Sequence, residues 1–115
     1  MEMRVAIIGS REIYGYGLDE LISHIPQNAS ELVSGGAAGV DALAEQAAGR
    51  LGLPIRVFRP DYERDGRFAP LVRNSEIVGY ADLVLAFWDG RSRGTADTLR
   101  KCVETGTPFR IIHIP

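Results

Sequence analysis

ELVSGGAAGVDALAEQAA, residues 31–48, runs from a short apolar stretch through a glycine turn into a segment with helical spacing. Gly35, Gly36 and Gly39 fill the turn, and Val40-Asp41 follow at once. A short apolar run ending in such a turn reads as a buried strand that feeds a helix. Over 40–52, Ala42, Leu43, Ala47 and Leu51 recur at helical spacing and Gly52 marks the stop.

The same unit recurs on either side. MRVAIIG (3–9) reads as a strand and LDELISHI (18–25) as a short helix ended by Pro26. IRVFR (55–59) is a third strand, PDYERDGRFAP (60–70) a polar loop, and LVRNSEIVGYA (71–81) a helix. DLVLAFW (82–88), TADTLRKCVETG (95–106) and FRIIHIP (109–115) complete the pattern as strand, helix and strand. Continuous apolar strands alternating with helices predict an α/β fold, a parallel sheet with helices on both faces. At 115 residues the chain is expected to be one domain, 1–115, with no repeat or linker.

In such sheets ligands bind beyond the carboxyl ends of the strands, where the strand order reverses. Three segments lie there: GSREIYGYG (9–17), SGGAAGVD (34–41) and WDGRSRGT (88–95), and all carry glycine. A glycine turn at a helix N-terminus bares backbone amides that favour an anion, although the same turn also serves plain close packing. Asp41 would repel a phosphate, so its functional reading is an acceptor for sugar hydroxyls. Ser10 and Arg11 after Gly9, and Arg91, Ser92, Arg93 and Gly94 in the later loop, suit phosphate; Thr95 suits an N-cap or a phosphate contact. Tyr14 to Gly17 places two aromatic rings on flexible backbone, suited to stacking on a base.

Other chemistries find less support. GRSRG (90–94) matches a nucleophile elbow, but His113 is the sole histidine after it and has no evident acid partner. Neither a G-x-G-x-x-G fingerprint nor a Walker lysine is present. His24 and His113 lack metal-ligand spacing, so no metal is expected. Asp61, Glu63 and Asp65 form an acidic cluster that reads as solvated. The formal charge of −2, with both signs interspersed, weighs against long nucleic acids. A single cysteine, Cys102, suits a reducing compartment. No apolar run has membrane-spanning length, and the first strand starts too early for a signal core. A soluble, cytoplasmic protein is the expectation.

VAIIGSRE, LVSGGAAGVDALAEQAA, GRFAPLVRN and DLVLAFWDGRSRGTADTLRKCVETGTP occur in the order seen in the SLOG superfamily, which includes the LOG proteins and DprA. The chain resembles the small YspA/YpsA-related branch over essentially its whole length. That resemblance implies a Rossmann-like sheet of order 3-2-1-4-5 and a pocket for nucleotide-derived ligands. It also implies a homodimer and no required cofactor. It assigns ligand contacts to Gly9, Ser10 and Arg11, to Gly35, Gly36, Gly39 and Asp41, to Arg73-Asn74, and to Gly94-Thr95. Ala69 departs from the branch, which has glycine before the proline.

Three functions compete, in this order. The first is a module that binds a nucleotide or nucleotide-derived small molecule without chemistry. The second is a LOG-like phosphoribohydrolase, with Arg73 and Asp41 as catalytic candidates. LOG proteins carry P-G-G-x-G-T-x-x-E, whereas here Thr98 stands at the glutamate and Asp97 is one position early. The third is DprA-like binding of single-stranded DNA, against which the acidic balance weighs.

Overall fold

The computed structural model describes residues 2–115. Five strands, β1 (Arg4–Gly9), β2 (Glu31–Ser34), β3 (Ile55–Val57), β4 (Leu83–Trp88) and β5 (Phe109–His113), form one all-parallel sheet of order β3-β2-β1-β4-β5. Helices α1 (Leu18–Ser23), α2 (Val40–Leu51), α3 (Tyr62–Asp65), α4 (Ala69–Tyr80) and α5 (Arg93–Thr105) connect them.

Alternation along the strands sends side chains to two cores. Val5, Ile7, Leu32, Leu85 and Phe87 pack with α1 and α2 through Leu21, Leu43, Ala44 and Ala47. Ala6, Ile8, Val33, Val84 and Ala86 pack with α4 and α5 through Ile77, Val78, Leu99 and Cys102. Buried on both faces, β1 and β4 need continuous apolar sequence, which is why VAIIG and LVLAFW carry no alternation. Gly52 and Gly106 end α2 and α5 in the left-handed conformation, as a helix stop requires.

Several sequence expectations are corrected. The stretch 60–70 is not all loop: Asp61 caps α3 by accepting the Arg64 amide at 3.1 Å, and a 3-10 turn follows at Gly66–Phe68. Helix α4 starts at Ala69, with Pro70 in its first turn where a missing N–H costs nothing. Helix α5 starts at Arg93, and Ser92, not Thr95, is its N-cap. Leu51 is exposed, and the buried stripe of α2 is Val40, Leu43, Ala44, Ala47 and Ala48. β5 lies at the sheet edge, as the order 3-2-1-4-5 implied, but its apolar run is not buried on both faces, since Phe109 and Ile111 are exposed.

Among the described residues no helix is long and apolar enough to cross a membrane.

Candidate functional site

The strand order reverses at β1, whose neighbours β2 and β4 lead away in opposite directions. A cleft of about 250 Å³ opens there, past the carboxyl ends of the strands. Its floor is built by two charged side chains that are nearly sealed from solvent, Asp41 at 6% and Arg73 at 9% exposure.

Asp41 sits in the first turn of α2, and its Oδ2 accepts the Ala37 amide at 3.1 Å. Arg73 comes from α4; its Nε donates to Asn74 Oδ1 at 3.0 Å and its Nη1 donates to the Gly35 carbonyl. The two side chains flank Gly35, where a Cβ would fall 2.7 Å from Arg73 Nη1 and 2.9 Å from Asp41 Oδ2. Gly35 is therefore glycine to let both charges close beneath the turn.

Burial pushes the Asp41 carboxyl above the usual carboxylate range, although the Ala37 amide and the Arg73 charge oppose it. Burial likewise pulls the Arg73 guanidinium below its ordinary value, with Asp41 opposing. Each keeps one atom uncommitted. Among the described residues, Asp41 Oδ1 accepts no well-formed hydrogen bond, although the Gly35 amide also helps to hold the carboxylate charge, and Arg73 Nη2 donates none. Neither atom is closed off from solvent. The floor thus presents an acceptor and a donor side by side.

Asn74 locks the α4 end of this floor. Its Nδ2 donates to Asp97 Oδ2 at 3.1 Å, and Lys101 and Arg100 reach the same carboxylate at 2.8 Å each. Asp97 is consumed by this clamp and stays out of the cleft. Thr98 does line it, its hydroxyl donating to the Gly94 carbonyl at 3.1 Å.

The far wall is the N-terminus of α5. Ser92 accepts the Thr95 amide and hydroxyl, while the amides of Arg93 and Gly94 have no partner among the described residues. Arg11 and Arg93 are exposed and complete this anion-favouring wall. The glycine turn before α2 behaves differently. Val40 N donates to Ser10 O, Gly36 N to Ser34 Oγ and Ala37 N to Asp41, so these amides are already satisfied.

Of the residues singled out from sequence, Gly9, Arg11, Gly35, Asp41, Arg73 and Asn74 line the cleft. So do Ser92, Arg93, Gly94 and Thr95. Ser10, Gly36, Gly39 and Arg91 do not. Ser10 is buried and ties the first loop to the fourth, its Oγ accepting the Asp89 amide at 3.1 Å. Gly36 packs on Arg59 and Val57, and Gly39 lies against the Ser10 and Arg11 carbonyls. Arg91 points to solvent with its guanidinium 3.9 Å from Asp89.

Ile8, Ala37 and Ile77 line the cleft and were missed. Ile8 and Ile77 carry no signal beyond core periodicity. Ala37 lies inside the glycine turn, where its backbone is what matters.

The acidic cluster is structural or solvated: Asp61 caps α3, Asp65 pairs with Arg64 at 2.7 Å, and Glu63 is exposed. Among the described residues no group of three histidine, cysteine or carboxylate side chains is placed to hold a metal ion.

Comparison with known proteins places the chain by family and by fold. The chain is 34% identical over 117 residues to the gene 61 protein of Mycobacterium phage D29, covering 91% of this chain and 92% of that protein. DNA processing protein A (DprA) of Streptococcus pneumoniae superposes with a TM-score of 0.78 at 21% identity, over 95% of this chain and 50% of that one. DprA of Helicobacter pylori, solved for its single-stranded DNA binding mode, gives 0.75 at 21%, over 95% and 64%. The chain therefore spans half to under two thirds of these DprA chains, and at that identity the likeness is one of fold. The model of the YspA, cpYpsA-related SLOG family matches residues 3–64, from β1 into α3. With more than half its length on that model and a phage relative alike nearly end to end, the chain belongs to the YspA, cpYpsA-related SLOG family.

Proposed function

We propose that the cleft binds a phosphate-bearing nucleotide or nucleotide-derived small molecule. The observation that carries this reading is the floor pair: two buried, opposite charges, each holding one atom free toward the cavity. Both atoms are open to solvent, so a ligand is held there by exchanging water for hydrogen bonds to Asp41 and Arg73 at once. A sugar hydroxyl does so, since it donates to Asp41 Oδ1 and accepts from Arg73 Nη2. The phosphate then goes to the open amides of Arg93 and Gly94, with Arg11 and Arg93 at its side. A volume of about 250 Å³ lies just under the roughly 300 to 1,000 Å³ of small-molecule sites, so the cleft takes the sugar and phosphate of such a ligand more readily than a large cofactor.

Calorimetry with a ribonucleoside monophosphate, its nucleoside and inorganic phosphate tests this. The monophosphate should bind best, and Arg93→Ala should weaken it by about tenfold or more, the worth of one charged hydrogen bond. Equal binding of nucleoside and monophosphate would remove the phosphate from the reading.

A second reading, single-stranded DNA, has its own support. Two DprA structures share the fold, and the segments that follow β1, β3 and β4 carry exposed Arg11, Arg59, Arg67, Arg91 and Arg93 with exposed Tyr14, Tyr62 and Phe68. Arginines with exposed aromatic rings suit a strand's phosphates and bases. Tight oligonucleotide binding that weakens steeply with salt, and that the monophosphate does not displace, would promote it.

Hydrolysis is the weaker alternative. Asp41 is the sole carboxylate among the cleft-lining residues, because Thr98 faces the cavity and Asp97 is clamped away. Without an acid from α5 to stabilise positive charge on the sugar, base release from nucleoside monophosphates should be absent or slow by about a hundredfold or more. Chromatography of the products checks this; robust turnover lost in Asp41→Asn would make Asp41 catalytic.

A further inference from the structure

We propose that Asn74 and Asp97 are positioning residues: together they hold the Arg73 guanidinium away from Asp41, so that the two charges of the cleft floor stay apart and open to a ligand. The proposal rests on the cleft binding a ligand through that floor, as read above.

What points there is a pair that fails to form. A Cβ added at Gly35 would fall 2.7 Å from Arg73 Nη1 and 2.9 Å from Asp41 Oδ2, so little more than one atom would fill the space between the two charges. Opposite charges this close, with little water around them, attract strongly. Yet the ion pairs among the described residues all lie elsewhere. A restraint has to oppose the attraction.

The hydrogen bonds of Arg73 supply it. Its Nη1 donates to the Gly35 carbonyl, a bond that alone leaves the guanidinium plane free to swing about that nitrogen. The second bond, from Nε to Asn74 Oδ1 at 3.0 Å, removes this freedom. Asn74 is itself held. It is buried, and its Nδ2 donates to Asp97 Oδ2 at 3.1 Å. An ionised carboxylate only accepts, so it keeps the amide nitrogen on its own side and leaves the oxygen to Arg73. Burial pushes the Asp97 carboxyl up, but hydrogen bonds from Lys101, Asn74 and Arg100 outweigh it and hold the group below the usual carboxylate range. Lys101 adds the last anchor by donating to the Leu71 carbonyl at 2.6 Å, three residues before Asn74 on α4. Asp97 thus acts on the site without lining it. Released from this latch, Arg73 pairs with Asp41, and the pair consumes the donor and the acceptor that the open floor offers.

Titration of the Asp41 carboxyl by carbon-detected NMR in the ligand-free protein tests the proposal, with calorimetry on the ribonucleoside monophosphate beside it. Wild-type Asp41 should titrate above the usual carboxylate range. Asn74→Leu keeps the shape of the side chain but not its oxygen, and Asp97→Leu removes the acceptor that orients it. In both, Asp41 should fall below the usual range as Arg73 closes on it, and the monophosphate should bind about tenfold or more weakly. Loosened packing alone would let water in and return Asp41 only to its ordinary value. Leu99→Ala, which thins the core under α5 and touches none of the latch, should lower the melting temperature and leave Asp41 raised. Arg11, the other cation acting on Asp41, is unchanged in every variant. Should the leucine variants not fold, Asn74→Ala and Asp97→Ser give the same readout. An Asp41 that stays raised, or returns only to its ordinary value, in folded latch variants overturns the proposal. This readout needs no ligand, so a wild type that ignores the monophosphate would sink the reading of the cleft while Asp41 still decides the latch.

Discussion

Gly39→Ala should cost the protein about 4 kcal/mol or more, a large share of its stability. Gly39 caps α2 at φ 72°, a conformation that strains any residue with a Cβ. The added carbon would also overlap the carbonyl groups of Ser10 and Arg11. Those are backbone atoms, and Ser10 O is held in place by the Val40 amide at 3.1 Å, so neither side can yield cheaply. Domains of this size have about 5 to 15 kcal/mol in total. Gly36→Ala supplies the contrast. Its φ is equally positive, but its new carbon meets the flexible end of Arg59 at 2.8 Å and Val57 Cγ1 at 2.9 Å. A loss of about 1 to 3 kcal/mol is expected there. Urea denaturation of the two variants side by side decides; equal midpoints would mean that α2 does not press on the first loop as described.

Asp41→Asn should move stability and binding in opposite directions. Desolvation raises the carboxyl above its unfolded value, so the folded protein binds this proton more readily than the unfolded chain does. The contribution is then greatest below the unfolded carboxylate range and fades as pH rises through the folded value. Asparagine keeps an acceptor for the Ala37 amide and carries no charge to desolvate. The ligand-free variant should melt higher than wild type at neutral pH, with the gap closing in acid. Its affinity for the monophosphate should fall by about tenfold to a hundredfold, because one oxygen facing the sugar is no longer charged. A variant that melts lower at neutral pH would show Asp41 to be a structural half of an ion pair with Arg73.

Much of this was legible in the chain. Continuous apolar runs between helical segments announced a parallel sheet, and the glycine loops after β1, β2 and β4 marked the edge where the cleft lies. What resisted reading was direction at single residues. Ser10 follows a strand and carries a hydroxyl, as a phosphate contact would, yet it faces inward and holds Asp89. Thr95 and Ser92 are equal as cap residues on paper. Only the Asp89 carboxylate, accepting the Arg91 and Ser92 amides at 2.8 and 2.9 Å, fixes where α5 begins. β5 misled because an apolar run is the same letters whether one neighbour covers it or two. Its exposure follows from strand order, a long-range property that the resemblance and not the periodicity supplied. Asp61 before Arg64 was a readable cap, and its short helix was overlooked because four polar residues show no stripe.

The central place of β1 also sets a timetable for synthesis. Val5 pairs with Leu32 on one side and with Leu83 on the other. As the chain leaves the ribosome, the β2 side can close early, giving the glycine turn and Asp41 a scaffold. The β4 side must wait until α3 and α4 have emerged, and Arg73 arrives only with them. During that interval the apolar edge of β1 stands open and Asp41 is still hydrated. Closure of β4 onto β1 therefore does two things in one event: it seals the sheet and strips water from the carboxylate on the cleft floor. A nascent chain halted before β4 should be held by chaperones that grip apolar strands and should show no affinity for the monophosphate.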